Sequence, residues 1–310
     1  MIFLGIDTSN YTTSVSAYDD VKNEVTQFKK LLPVKKGERG LRQSDAVFHH
    51  TVQLPELLEK LTEQISDFSA VGVSVSPTTQ EGSYMPCFMT GVLSAVSVSS
   101  VCKIPLYRFS HQQGHIMAAL YSADKTDLIS ESFLAFHVSG GTTDLLLVRP
   151  SDERIFDIQR IGGSNDLKAG QAVDRLGVSL GFDFPAGKFV DAESLKSDRV
   201  FNVRPSVSAL TCSLSGLENK YMKMKADGET NADICRFCVE YIGVTLQFLI
   251  ENARKEYGDL PVLMSGGVMS NTLIKAKLSK LSDVFFAEPE FSADNAAGIA
   301  ILAGYESKRI

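Results

Sequence analysis

The chain has 310 residues, 44% of them hydrophobic and 22% charged, with 23 glycines, ten prolines and a formal net charge of −6. These proportions exclude collagen-like, low-complexity and disordered classes, and at ~150 residues per domain they predict two lobes. Five scattered cysteines, a start without a basic leader and no apolar run near the ~18 residues of a membrane span predict a cytoplasmic chain with no membrane partner, and 37 acids against 31 bases argue against a protein that coats nucleic acid.

In chain order, Ile2 to Ile6 reads as an apolar strand that stops at Asp7-Thr8-Ser9-Asn10, and Thr12 to Ala17 as its hairpin partner. The stretch Lys29, Lys30, Lys35, Lys36, Arg39 and Arg42 contains one acid, Glu38, and is either a solvated loop or a phosphate-backbone footprint. His49-His50 fits a solvated helix start, and Val71, Val73 and Val75 alternate as a strand. Ser110 is a plausible N-cap for a helix carrying His111 and His115. Phe133 to Val138, the turn Ser139-Gly140-Gly141-Thr142 and Leu145 to Val148 repeat the first strand–turn–strand unit half a chain later, which predicts a duplicated α/β architecture. Ala169, Ala172, Val173, Leu176 and Leu180 mark one buried helix face, and Phe237, Tyr241, Val244 and Phe248 another. Val262-Leu263-Met264 is a short strand ending in Ser265-Gly266-Gly267, with a helix starting near Ser270.

Three turns at strand ends carry the chemistry: Asp7-Thr8-Ser9, Ser139-Gly140-Gly141-Thr142 and Ser265-Gly266-Gly267. Glycine lets backbone N–H groups approach a phosphate, and an acid in such a turn can hold a metal or a water beside it. Each turn taken alone is equally a plain connection. On a helix, His111 and His115 share one face about 6 Å apart, which suits a shared metal or two surface imidazoles. Gln112 stands where a zincin carries its general base, so metal-assisted peptide hydrolysis is unsupported. Asp294, near the last helix, is a candidate oxygen ligand or a mere cap. Cys235 and Cys238 form one CxxC inside an amphipathic helix, with core packing as the expected role. Asp174 lies off its helix's apolar face, and Asp183-Phe184-Pro185-Ala186-Gly187 before Asp191 offers carboxylates and bare backbone to a ribose, or simply links two helices.

The series Ile6-Asp7-Thr8-Ser9, His111-x-x-x-His115, Val138-Ser139-Gly140-Gly141-Thr142, Ala169-Gly170-Gln171-Ala172-Val173-Asp174, Phe184-Pro185-Ala186-Gly187, Ser213-Leu214-Ser215-Gly216-Leu217, Gly266-Gly267-Val268-Met269-Ser270-Asn271 and Asp294-Asn295 resembles the TsaD family, formerly labelled O-sialoglycoprotein endopeptidases, over nearly the whole chain. The resemblance implies an actin-like, Hsp70-like ATPase (ASKHA) fold, two duplicated lobes with mixed sheets around a cleft. The expected lobes are 1–110, with a final helix 294–310 packing back, and 111–293. It implies a transferase that moves a threonylcarbamoyl group from threonylcarbamoyl-adenylate to N6 of the tRNA adenosine next to the anticodon. Carried over by position, His111, His115 and Asp294 would hold one divalent metal, Fe2+ or else Zn2+. Val138, Ser139, Gly140, Gly141, Thr142, Asp174, Gly187, Asp191 and Asn271 would bind ATP, AMP or the adenylate, with Mg2+ a further candidate ion, and Asp7, Ser9 and Asp174 would be catalytic. The implied partners are tRNA, the adenylate, and TsaB-like and TsaE-like proteins or a second copy of the chain.

Departures from the family pattern favour a divergent member. The place of a glycine-rich loop reads Ser76-Pro77-Thr78-Thr79-Gln80-Glu81-Gly82-Ser83-Tyr84-Met85-Pro86, that of a PELASR-like segment reads Gln43 to Phe48, Thr12 replaces a first-turn acid, and Gly170 to Arg175 departs from GEAFDK. The alternative expectation is therefore a paralogue that binds metal and adenylate but serves another acceptor or a scaffolding role.

Overall fold

The continuous apolar run of residues 2–6 makes a strand buried on both faces, and the computed structural model forms it as β1 (Ile2–Asp7). The structure describes residues 1–9, 11–33, 41–292 and 296–309, which fall into two compact units. The first comprises 1–126, 150–157 and 290–310, and the second 127–149 and 158–289.

In the first unit β1 pairs antiparallel with β2 (Thr12–Asp19), and β2 antiparallel with β3 (Glu24–Leu31). The next helix is α1 (Gln43–Thr62), followed by β4 (Phe68–Ser76), α2 (Phe88–Cys102), β5 (Leu106–Ser110) and α3 (His111–Ser122). β4 is parallel to both β1 and β5, giving the order β3-β2-β1-β4-β5. Leu4, Ile6, Val15, Val71 and Val73 form a core with Leu54, Leu57 and Leu61 of α1. His49-His50 falls inside α1 rather than at its start, because α1 begins at Gln43 and packs on β2. His50 is fully buried, and its Nδ1 lies 2.8 Å from Thr13 Oγ1. Thr13 donates its own proton to Gln53 Oε1 at 2.7 Å, so His50 Nδ1–H is the donor toward Thr13.

The second unit follows the same plan. Its elements are β6 (Phe133–Val138), β7 (Thr143–Ser151), β8 (Ile155–Ser164), α4 (Ala169–Ser179), α5 (Gly187–Ser194), β9 (Ser206–Ser208), β10 (Thr211–Ser213), α6 (Ser215–Ala226), α7 (Asn231–Tyr257), β11 (Val262–Ser265), α8 (Thr272–Leu278) and β12 (Val284–Phe286). The sheet order is β12-β11-β6-β7-β8-β10-β9. Read from β8, the run β8-β7-β6-β11-β12 repeats β3-β2-β1-β4-β5, again with an antiparallel hairpin (β6, β7) beside parallel strands (β6, β11, β12). The duplication expected from the two hairpins is thus a duplication of whole sheets.

The face predicted for α4 is the buried one: Ala169, Ala172, Val173 and Leu176 all enter the core. In α7 the buried face is rotated from the expected stripe. Ile234, Cys235, Cys238, Val239, Ile242, Leu246 and Leu249 are inside, whereas Phe248 is 44% exposed. The four aromatic and β-branched residues had marked one edge of a wider stripe. Cys235 and Cys238 are fully buried free thiols, and burial pushes both up, Cys235 to about 12, as suits core residues.

The last helix, α9 (Ala297–Ser307), belongs to the first unit, where it packs on β1 and β4 and along α3. That packing carries the first unit through Thr126, past the boundary expected at 110. Side chains alternate across a strand, so Gly5 and Gly72 face away from the α1 core, and a Cβ on either would strike the α9 backbone at Ala296 to Ala300. Among the described residues no helix is long and apolar enough to cross a membrane.

Candidate functional site

In the first unit the turn after β1 and the start of α3 meet. Ser110 caps α3 through a full capping box with Gln113, as its position predicted. The helix sets His111 and His115 one turn apart with ring centroids separated by 4.3 Å. Asp7 is 1% exposed. Its Oδ1 accepts from Ser9 N at 2.7 Å, and its Oδ2 lies 2.7 Å from His111 Nδ1. Burial pushes the Asp7 carboxyl up, but the His111 charge and the hydrogen bonds from His111 and Ser9 outweigh it and hold the group below the usual carboxylate range. An ionised carboxylate only accepts, so Nδ1 of His111 carries a proton; when the ring loses its second proton, Nε2 is the atom that suits a metal. Thr8 ties the turn to α2 by donating to Cys87 O at 3.0 Å and accepting from Gly91 N at 3.1 Å. Ser9 Oγ is buried with no hydrogen-bond partner among the described residues, a polar atom that a ligand would satisfy.

The two imidazoles, with Asp7 behind one of them, fit a divalent metal by donor chemistry. Among the described residues no group of three or more His, Cys, Asp or Glu is arranged to hold one. The expected third ligand, Asp294, lies outside the described residues, as do Lys35, Lys36 and Arg39 of the basic stretch. Of that stretch, Lys29 donates to Glu290 O at 3.1 Å and Lys30 pairs with Glu56 at 2.7 Å, so these two cations are engaged within the protein.

The second unit holds a cavity of about 610 Å³, lined among others by Gly140, Gly170, Asp174, Phe184, Gly187, Asp191, Gly267 and Asn271. Ser139 orders the turn that carries Gly140: its Oγ accepts from Thr142 N at 3.2 Å and Gly141 N at 3.3 Å, while its N–H donates to Thr142 O at 2.8 Å. Gly170 is required where α4 starts, because a Cβ there would come within 2.6 Å of Gly140 N and the Ser139 carbonyl carbon. Asp174 Oδ1 accepts from Ala186 N at 2.8 Å and so anchors the Phe184–Gly187 turn, leaving Oδ2 without a partner among the described residues. Asp191 accepts from Thr272 N and Oγ1 at 3.0 and 2.9 Å, which ties α5 to α8. Asn271 Oδ1 caps α8 by accepting from Leu273 N and Ile274 N, and the cap leaves its Nδ2 amide to donate elsewhere.

Of the nine expected binding residues, Gly140, Asp174, Gly187, Asp191 and Asn271 line the cavity. Ser139, Gly141 and Thr142 shape the turn, and Val138 is fully buried in the core. Lys188, Phe189 and Ile274 also line the cavity and were missed. Lys188 Nζ sits 4.7 Å above the Phe189 ring, a contact that neither residue type announces in the sequence.

The Ser213–Leu217 motif has a separate role. Asp166 Oδ2 accepts from Ser213 Oγ at 2.5 Å and Ser215 N at 3.1 Å, and its Oδ1 accepts from Leu214 N at 2.8 Å. Burial pushes this carboxyl up, yet the serine hydroxyls and the two amides outweigh that and hold it well below the usual range. A depressed carboxylate stabilises above its unfolded pKa and loses that contribution as pH falls through the folded value. Asp166→Asn is therefore expected to cost about 1 kcal/mol at pH 7, the size of a helix cap at a partly solvated site. The difference from wild type shrinks in melts run below about pH 4. An equal loss at both pH values would refute the assignment.

Comparison with known proteins places these features. The model of the family TsaD, tRNA N6-adenosine threonylcarbamoyltransferase, matches residues 29–301. Among solved structures, the (R)-2-hydroxyglutaryl-CoA dehydratase component A of Acidaminococcus fermentans is similar at 16% identity and TM-score 0.57, covering 99% of each chain. The activator of the 2-hydroxyisocaproyl-CoA dehydratase from Clostridium difficile, with bound ADPNP, matches at 14% identity and TM-score 0.55, over 99% of this chain and 96% of that one. Full-length HypF in the phosphate- and nucleotide-bound form matches at 13% identity and TM-score 0.61, over 99% of this chain and 55% of that one. At such identities the likeness shows the fold, that of the actin-like ATPases.

Proposed function

This chain belongs to the TsaD family, and from that premise we propose that it moves a threonylcarbamoyl group from threonylcarbamoyl-adenylate to N6 of the tRNA adenosine next to the anticodon. The observation that carries the reading is the 610 Å³ cavity of the second unit, whose bare Gly140 backbone, Asp174 carboxylate and Asn271 amide suit an adenylate. In the transfer, the N6 lone pair attacks the carbamoyl carbon, the carbon–oxygen bond to the phosphate breaks, AMP leaves and N6 gives up a proton. Asp174 Oδ2 accepts from a ribose hydroxyl, Asn271 Nδ2 donates to the nucleoside, and the Ser139-ordered turn presents the Gly140 amide to the phosphate. His111 and His115, with Asp294, would hold a divalent metal, Fe2+ or Zn2+, while Asp7 fixes the His111 tautomer and Ser9 would offer its hydroxyl to a ligand there. Such an ion would supply Lewis-acid polarisation of the carbamoyl carbonyl. With a net charge of −6, the chain takes its tRNA together with TsaB-like and TsaE-like partners or a second copy.

His111→Ala and Asp294→Ala are expected to lose most bound metal, read by elemental analysis, while the chain remains folded by circular dichroism. Full occupancy in both would sink the metal assignment. The deciding assay supplies the purified chain with threonylcarbamoyl-adenylate, unmodified tRNA and partner proteins. Modified adenosine well above a no-enzyme background is the expected result. Tight AMP binding without any transfer would instead support the paralogue with another acceptor. The 76–86 segment favours that second reading, because it closes on itself through Thr78 N to Ser83 Oγ at 3.0 Å and Ser76 Oγ to Thr78 O at 2.8 Å.

A further inference from the structure

We propose that the first unit carries a second ligand site, a cavity of about 330 Å³ beside the edge strand β5, which takes a small phosphate monoester. Arg108 projects into it from β5 and Arg154 from the β7–β8 turn. Arg160, Arg175, Arg199, Arg236 and Arg309 each hold a carboxylate. Among the described residues the guanidiniums of Arg108 and Arg154 hold none, although Glu153 and Glu306 line the same cavity. Glu306 is taken by Arg309 at 3.3 Å. Two guanidiniums without a carboxylate partner thus share one cavity with Glu153, while Glu306 is engaged by Arg309.

The floor is built rather than incidental. Gln113, 3% exposed, accepts from Ser110 N at 2.8 Å and donates through Nε2 to Arg154 O at 2.9 Å. The next residue, Ile155, has φ of 64°, a left-handed conformation that a β-branched residue adopts only under strain, and it is buried in the unit's interior. The strained turn buries Ile155 and directs Arg154 to the cavity, with Gln113 holding the carbonyl between them.

The donor set selects the ligand. One guanidinium fork matches one carboxylate. Two forks on the lining of one cavity suit a phosphate, whose three terminal oxygens can accept from both at once. Glu153 at the rim accepts from a hydroxyl or ammonium on the ester's carbon side. The volume lies at the small end of ligand pockets, which limits that side to a few carbons.

Calorimetry on the full chain tests the site with glycerol 3-phosphate, inorganic phosphate, malonate and a short single-stranded oligonucleotide. The monoester is expected to bind with a Kd below about 10 mM and more tightly than malonate. Arg108→Gln and Arg154→Gln should each weaken it about tenfold or more, Arg108→Lys should restore only part, and all three should keep the wild-type melting temperature. Binding of AMP, read in the same variants, should not change, which separates this site from the cavity of the second unit. Monoester binding unaffected by both glutamine variants, no binding at about 10 mM, or equal binding of malonate would each overturn the proposal. So would an oligonucleotide that binds better than the monoester and loses its affinity in the same variants, because the arginines would then read a nucleic-acid backbone.

Discussion

Gly298→Ala is expected to destabilise the first unit by about 3 kcal/mol, the upper range for overpacking a tight core, and to lower its melting temperature by roughly 6–12 °C. The added methyl group would collide with the Gly114 carbonyl oxygen and crowd Ala118 N at 2.8 Å, both backbone atoms of α3 that no rotamer can move aside. Only a separation of α3 from α9 relieves the clash. Gly114 lies between His111 and His115, so that separation also disturbs the Asp7–His111 hydrogen bond, and a site defect should accompany the stability loss. Gly216→Ala is the matched control. It sits at the start of α6 with nothing within 4 Å of its Cβ position, and it should be neutral or gain up to about 1 kcal/mol from lower chain entropy. Similar melting temperatures for the two variants would disprove the close approach of α3 and α9.

Asp174→Ala should weaken AMP binding by about two orders of magnitude, or close to 3 kcal/mol. The substitution removes two things, the acceptor for Ala186 N that anchors the Phe184–Gly187 turn and the Oδ2 atom left for a ligand. Asp174→Asn separates them. Its Oδ1 still accepts from Ala186 N, so the turn stays in place and only the ligand contact is altered, with a loss nearer tenfold. The ratio of the two affinities therefore measures how much the turn contributes. AMP affinity unchanged in both variants would remove the cavity from the functional reading.

Features set by local periodicity or local chemistry were legible in the sequence. The two hairpins, the α4 face, the Ser110 cap and the buried CxxC all depend on neighbours within a few residues. The rotated face of α7 was not, because an aromatic residue draws attention wherever it stands, while small buried residues such as Cys235 and Thr245 mark the true inner side. His50 was misread for a related reason: its partners Thr13 and Gln53 come together only when α1 lies on β2. In the site, the glycines and the Asp174 and Asn271 positions were recognisable as motifs. Their division of labour was not, since Asp191 proves to hold Thr272 and Asn271 to cap α8. Arg108 and Arg154 stand 46 positions apart in unremarkable surroundings, and nothing in either stretch signals that they share a cavity.

The seating of α9 on Gly5 and Gly72 orders events during synthesis. All five strands of the first sheet have been synthesised by residue 110, yet the helix that covers their glycine-lined face is encoded nearly 190 positions later. Until residues 297–307 emerge, that face has no cover of its own and Gly114 has no partner helix. The second unit draws on residues 127–149 and 158–289 alone, so it can complete its core first. The nascent first unit is then the species that needs protection from aggregation. A released chain truncated before residue 297 should display a protease-sensitive amino-terminal third beside a resistant middle.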